Sequence, residues 1–120
     1  MRFAFSFLLL LFVLPASAQN VRLLVQSSPL AGFRYAEAAE VMPALQHGDA
    51  LELVREGENP HDPNAVRVEW RGRKLGYVPR RQNAAIAWGL DRGTPLRARV
   101  SRLAEHPNPA RRIEFEIYIE

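Results

Sequence analysis

The sequence predicts a mainly β protein: a small closed or partly open barrel of five to six short strands, with one α-helix between the fourth and fifth. Three observations predict it. Apolar and polar residues alternate in several short runs, most clearly Ile113, Phe115, Ile117 and Ile119 against Glu114, Glu116, Tyr118 and Glu120. Clusters of glycine, proline, asparagine and aspartate separate those runs, as in GENPHDPN from Gly57 to Asn64. Only the stretch from Pro79 to about Asp91 carries a continuous apolar run opened by proline and followed by Gly93 and Pro95, the marks of a helix with defined ends.

The 120 residues allow one domain and one core. With 48% hydrophobic and 24% charged residues the chain is composed like a folded globular protein. It has no cysteine, which excludes a disulfide framework, a thiolate zinc site and a cysteine nucleophile. The net charge of +3 is unevenly distributed. Glu37 to Asp62 holds seven acidic residues and one arginine, whereas Arg67 to Arg112 holds twelve basic residues against Glu69, Asp91 and Glu105. Lys74 is the single lysine among sixteen basic residues. The planar fork of arginine suits phosphate or carboxylate, so the basic half points to a polyanionic partner. A GC-rich genome would produce the same arginine bias, though not the segregation of charge.

Met1 to Ala18 reads as a secretory signal. Arg2 is a minimal positive n-region, Phe3 to Leu14 an apolar h-region, and Ala16-Ser17-Ala18 an A-x-A cleavage site. The twelve positions of the h-region fall short of the roughly 20 that span a bilayer. Gln19 rather than a cysteine after the site argues against a lipoprotein. Export, to the periplasm or the medium, is therefore expected, with no membrane span once the signal is removed. Residues 19–31 form an N-terminal arm that either pairs as an edge strand or lies loose. The domain proper is expected over residues 32–120.

Within it, Gly32-Phe33-Arg34-Tyr35 reads as the start of a strand, and Pro43 limits any helix between Glu37 and His47 to a turn. Gly48-Asp49 turns the chain into a strand beginning at Leu51. Val66, Val68 and Trp70 alternate with Arg67 and Glu69 as a half-buried strand, and Arg71-Gly72-Arg73 connects it to a hairpin partner over Leu75 to Val78. Leu96, Ala98 and Val100 alternate until the pattern slips at Ser101, which predicts a bulge there. Trp70 and Trp88 both stand in phase with apolar neighbours and are expected in the core. Neither internal repeats nor low-complexity tracts occur.

The stretch Leu53 to Arg80, LVREGENPHDPNAVRVEWRGRKLGYVPR, closely resembles the HIRAN domain. That family's hallmark reads roughly L-x-R-E-x-x-N-P-x-D-x-N-A-[IV]-x-V, then G-x-x-[IVL]-G-[YH]-[ILV]-P. Arg55, Glu56, Asn59, Pro60, Asp62, Asn64, Ala65, Val66 and Val68 match its first half, and Leu75, Gly76, Tyr77, Val78 and Pro79 its second. The resemblance covers about Gly32 to Leu103. It implies an OB-like β-barrel that captures the 3′-hydroxyl end of single-stranded DNA, as in the helicase-fused members. By position, Arg34 and Tyr35 would contact the strand end, Asp62 would accept from the terminal hydroxyl, and Arg80 would sit near a phosphate. The residue before the aspartate is usually an aromatic; here it is His61, which offers a smaller stacking face. Tyr35 and Tyr77 are the remaining stacking candidates.

The resemblance and the residues together define a candidate site of Arg34, Tyr35, His61, Asp62, Tyr77 and Arg80. Asn59, Asp62 and Asn64 are equally suited to bonding their own backbone and fixing a tight loop. Arg67, Arg71, Arg73, Lys74, Arg80, Arg81, Arg97 and Arg99 either line a groove that tracks phosphates or form a solvated face, with Arg67 and Arg97 paired to Glu69 or Glu114. His47, His61 and His106 stand in separate loops without metal-ligand spacing, so no metal is expected. Neither a Ser/His/Asp order, a glycine-rich phosphate loop nor a carboxylate pair in an apolar setting is present, so neither catalysis nor a cofactor is expected. Two partners remain: single-stranded nucleic acid or another polyanion, and, because export removes the chain from replication forks, a cell-envelope protein or glycan in the same groove. The oligomeric state is not legible.

Overall fold

A computed structural model describes residues 22–120. The expected signal, Met1 to Ala18, lies outside the described residues, as do residues 19–21 of the arm. Among the described residues there are six strands: β1 (Leu23–Pro29), β2 (Ala50–Arg55), β3 (Val66–Trp70), β4 (Arg73–Tyr77), β5 (Leu96–Leu103) and β6 (Ile113–Ile119). They form one antiparallel sheet in the order β1-β6-β5-β2-β3-β4. The arm is thus an edge strand, with Leu23 opposite Ile119. The bulge expected at Ser101 is there, as a register shift between Val100 and Arg102 on β5.

The sheet is not a closed barrel. Closure needs a ladder between β1 and β4, and the structure provides one bridge, in which Ala31 and Tyr77 exchange backbone hydrogen bonds of 2.9 and 2.8 Å. The ladder cannot grow in either direction. Pro29 has no N–H to donate, and Gly32, at φ 73°, turns the chain away into a 3-10 turn over Phe33–Tyr35. That turn replaces the strand expected from Gly32 to Tyr35. The close approach of the two edges also requires Gly76, because a Cβ there would run into the Ala31 carbonyl oxygen and the Leu30 side chain.

Two helices connect the strands. Helix α1 (Ala38–Val41) is one turn, passing into a 3-10 turn, Met42–Ala44, at Pro43. Helix α2 (Ala84–Asp91) starts later than the sequence predicts, since Arg80–Gln82 is a separate 3-10 turn. It stops at Gly93 (φ 79°) in a Schellman motif, with Gly93 N–H donating to Leu90 O and Thr94 N–H to Gly89 O.

The core is built from the inward faces of all strands but β1, with Val66, Val68, Leu75, Val100, Ile113, Phe115 and Ile117 buried together against Leu30, Phe33 and Ile86. Each such side chain contributes about 1.5–3 kcal/mol through burial. Trp70 joins this core as expected, but Trp88 does not: it is 61% exposed. The cause is that α2 turns Ile86, Ala87 and Gly89 inward, the last two small enough to let the helix lie close to the sheet, and this leaves Trp88 on a side of the helix that faces solvent. Tyr118, expected to face out, is instead covered by the guanidinium groups of Arg22 and Arg99 at 5.1 and 5.2 Å from its ring.

Candidate nucleic-acid interface

The loop between β2 and β3 is shaped by its own side chains. Asn59 Oδ1 accepts from the backbone N–H groups of His61 (2.9 Å) and Asp62 (3.3 Å), and Asp62 Oδ1 accepts from Asn64 N–H (2.9 Å). These are the Asx-type bonds expected of such residues. Asn64 takes part through its backbone only. The loop-fixing role predicted for Asn59 and Asp62 is therefore observed, and for Asp62 it occupies one oxygen.

Asp62's other oxygen reaches out of the loop. Asn83 Nδ2 donates to Asp62 Oδ2 at 2.7 Å, from a residue only 2% exposed. A second tie runs through Arg55. Its guanidinium donates to both carboxylate oxygens of Asp91 (2.9 and 3.2 Å) and to the carbonyls of Ala65 and Pro63. The loop is thereby fastened to α2 at both ends of the helix. Burial acts to raise the Asp62 carboxyl, but the Asn64 N–H, the Asn83 amide and the charges of Arg80 and Arg55 outweigh it and hold the group below the usual aspartate range. Asp62 is thus a fixed anion at neutral pH, and each oxygen keeps a further lone pair for a ligand.

Glu56 anchors the opposite wall. It accepts from Arg67 (2.7 Å), from Asn59 Nδ2 (3.1 Å) and, with both oxygens, from the Tyr77 hydroxyl (3.0 and 3.1 Å). Burial again acts to raise this carboxyl, and the Arg67, Asn59 and Tyr77 hydrogen bonds overcome it. Tyr77 therefore stands as a rigid wall, with the Lys74 ammonium 4.5 Å from its ring centroid.

Between these walls lies a cavity of about 330 Å³ lined by Ala31, Asn59, His61, Asp62, Ala65, Tyr77, Val78, Arg80 and Asn83. Four of the six predicted site residues, His61, Asp62, Tyr77 and Arg80, meet here. Tyr35 does not line it. It is 89% exposed and borders a neighbouring hollow of about 170 Å³ with Leu30, Gly32 and Phe33, next to Ala31 of the main cavity. Arg34 occupies the same 3-10 turn. Larger hollows, of about 470 and 600 Å³, surround the loop from Glu105 to Arg112. They lack the feature that marks the smaller one, a carboxylate held by a buried amide and faced by a cation.

The eight-residue basic groove does not form as a unit. Arg67, Arg73, Arg97 and Arg99 are taken up by Glu56 and Glu69, Glu37 and Glu40, Glu120, and Glu116. Arg71 lies over the Trp70 ring at 4.7 Å. Among the described residues, Lys74, Arg80 and Arg81, at or beside the cavity, make no ion pair of 4 Å or less with a carboxylate. Sequence reading missed Asn83 and Glu56 as site-building residues. A polar residue just before a helical run signals a cap, but Asn83 makes no cap bond with its side chain and turns it to Asp62 instead. Among the described residues no group of three or more histidine or acidic side chains is placed to hold a metal ion.

Comparison with known proteins bears on the whole described chain. The model of the HIRAN domain matches residues 23–120, extending beyond Gly32 to Leu103 in both directions and taking in β1 and β6. A crystal structure of a protein from Lactobacillus plantarum superposes with a TM-score of 0.71 at 28% identity, covering 82% of this chain and 94% of that one. The HIRAN domain of human HLTF superposes with a TM-score of 0.62 at 18% identity, covering 82% of this chain and 78% of that domain. No curated protein matches the chain.

Proposed function

The chain belongs to the HIRAN domain family, and from that membership we propose that it is a binding module without catalysis of its own, which holds the 3′ end of a single-stranded nucleic acid in the cavity at Asp62, and, from the signal-like pattern of Met1 to Ala18, that it is exported. The observation that carries this reading is the Asp62–Asn83 pair. A buried amide fixes an ionised carboxylate at the cavity wall, and a fixed carboxylate with spare lone pairs is the acceptor that a terminal hydroxyl needs. Arg80, which lines the same cavity, supplies a cation for the adjoining phosphate. His61 and Tyr35, both exposed, offer faces on which bases stack.

The test uses 5′-labelled oligonucleotides ending in a free 3′-hydroxyl or in a dideoxy terminus, titrated at two salt concentrations. Wild-type protein prefers the free end, and Asp62→Ala abolishes that preference while keeping the salt dependence. Equal binding of both ends by the wild type overturns the end-recognition reading. Binding indifferent to salt would point to a protein or glycan in the groove. Export is tested by cell fractionation, in which the processed protein is expected outside the cytoplasm.

A further inference from the structure

We propose, building on the Asp62 reading, that the exposed row of α2 made by Ala84, Trp88 and Arg92 is a second subsite, on which a base of the same strand stacks after leaving the cavity. Helical spacing divides α2 into rows four residues apart. Asn83, Ala87 and Asp91 form the row that docks the β2–β3 loop. Asn83 bonds Asp62, Ala87 is buried, and Asp91 pairs with Arg55, which in turn holds Pro63 and Ala65. Ala84, Trp88 and Arg92 are the next row over, and all three are exposed. The row therefore runs alongside the cavity-bearing loop rather than on a remote face.

Its chemistry fits a nucleic acid strand. Arg92 lies 3.6 Å from the Trp88 ring centroid and covers one face, while 61% exposure leaves the other open to solvent. A large indole in that state is a stacking platform held in place by a cation. Asp91, the nearest carboxylate on the helix, is already paired with Arg55, so the row presents Arg92 without an opposing charge. Ala84, at the start of the row, leaves the surface beside Trp88 low. Trp88 is five residues past Asn83, about 7.5 Å along the helix axis, which is more than two nucleotide steps of about 3.4 Å, so the third or a later base of a strand anchored at Asp62 comes to it.

The experiment compares 5′-labelled oligothymidylates of two and eight nucleotides, both with free 3′ ends, on wild-type protein, Trp88→Ala and Trp88→Phe. Trp88→Ala weakens the octamer about tenfold and leaves the dimer unchanged, and Trp88→Phe, which keeps a π face, recovers most of the loss. Unchanged octamer binding by Trp88→Ala overturns the subsite even if Asp62 holds strand ends. Equal weakening of both lengths overturns it too, since the change would then act through the fold. If the wild type binds neither length, the Asp62 reading fails first and the subsite with it.

Discussion

Asn83 and Asp62, 21 positions apart, are joined by a 2.7 Å hydrogen bond that links the start of α2 to the β2–β3 loop. A neutral amide on an anion is a charge-assisted contact, and here the donor is buried. Asn83→Ala leaves the carboxylate without that partner and is expected to lower stability by about 1–3 kcal/mol, read from urea unfolding. Asn83→Asp sets two carboxylates together, so its stability should fall as pH rises from about 4 to 6, a trend the wild type lacks.

Acid stability follows from Asp62 and Glu56. Both carboxyls titrate lower in the folded protein than in the unfolded chain. The unfolded state therefore binds more protons as the pH drops, and the stabilisation present above about pH 4.5 is lost as the pH falls through the folded-state values. Chemical denaturation at a series of pH values should give a plateau near neutrality and a decline below about pH 4.5. Glu56→Gln, which removes one of the two groups, should start from lower stability and decline less steeply.

Gly76 tests the contact between the sheet's two edges. Gly76→Ala forces a methyl group against the Ala31 carbonyl and Leu30. The expected cost is about 1–3 kcal/mol in urea unfolding, the range for overpacking a tight site. Amide exchange should show faster loss of protection at Ala31 and Tyr77 than at the β5–β6 ladder.

Arg80 separates phosphate from hydroxyl recognition. Arg80→Ala should weaken free-ended and dideoxy oligonucleotides by similar factors and reduce the slope of log affinity against log salt by about one. A change confined to the free-ended strand would place Arg80 on the terminal hydroxyl instead.

Period-two strands were legible because each carries its burial pattern locally. Val66, Val68 and Trp70 are buried, with Arg67 and Glu69 between them half-buried, as alternation requires. The Asn59–Asp62 turn was legible for the same reason, since its bonds span two or three residues. Trp88 was not, because alanine fills both faces of α2 and the helix has little amphipathic contrast to reveal which face packs. Asn83 was hidden by a partner 21 residues away, which no local spacing records. The basic groove failed because a charge count does not say which arginines already face carboxylates across the sheet.

Strand β1 is the first strand to be synthesised and its partner β6 the last. Until Ile113 to Ile119 emerge, Leu23, Leu24 and the residues from Gln26 to Pro29 have no ladder to join, and the loop they must close holds nearly the whole domain, an entropic cost that the short β3–β4 hairpin never meets. The nascent chain thus carries a strand with unpaired backbone throughout its manufacture, a segment for which a chaperone and a growing sheet edge would compete.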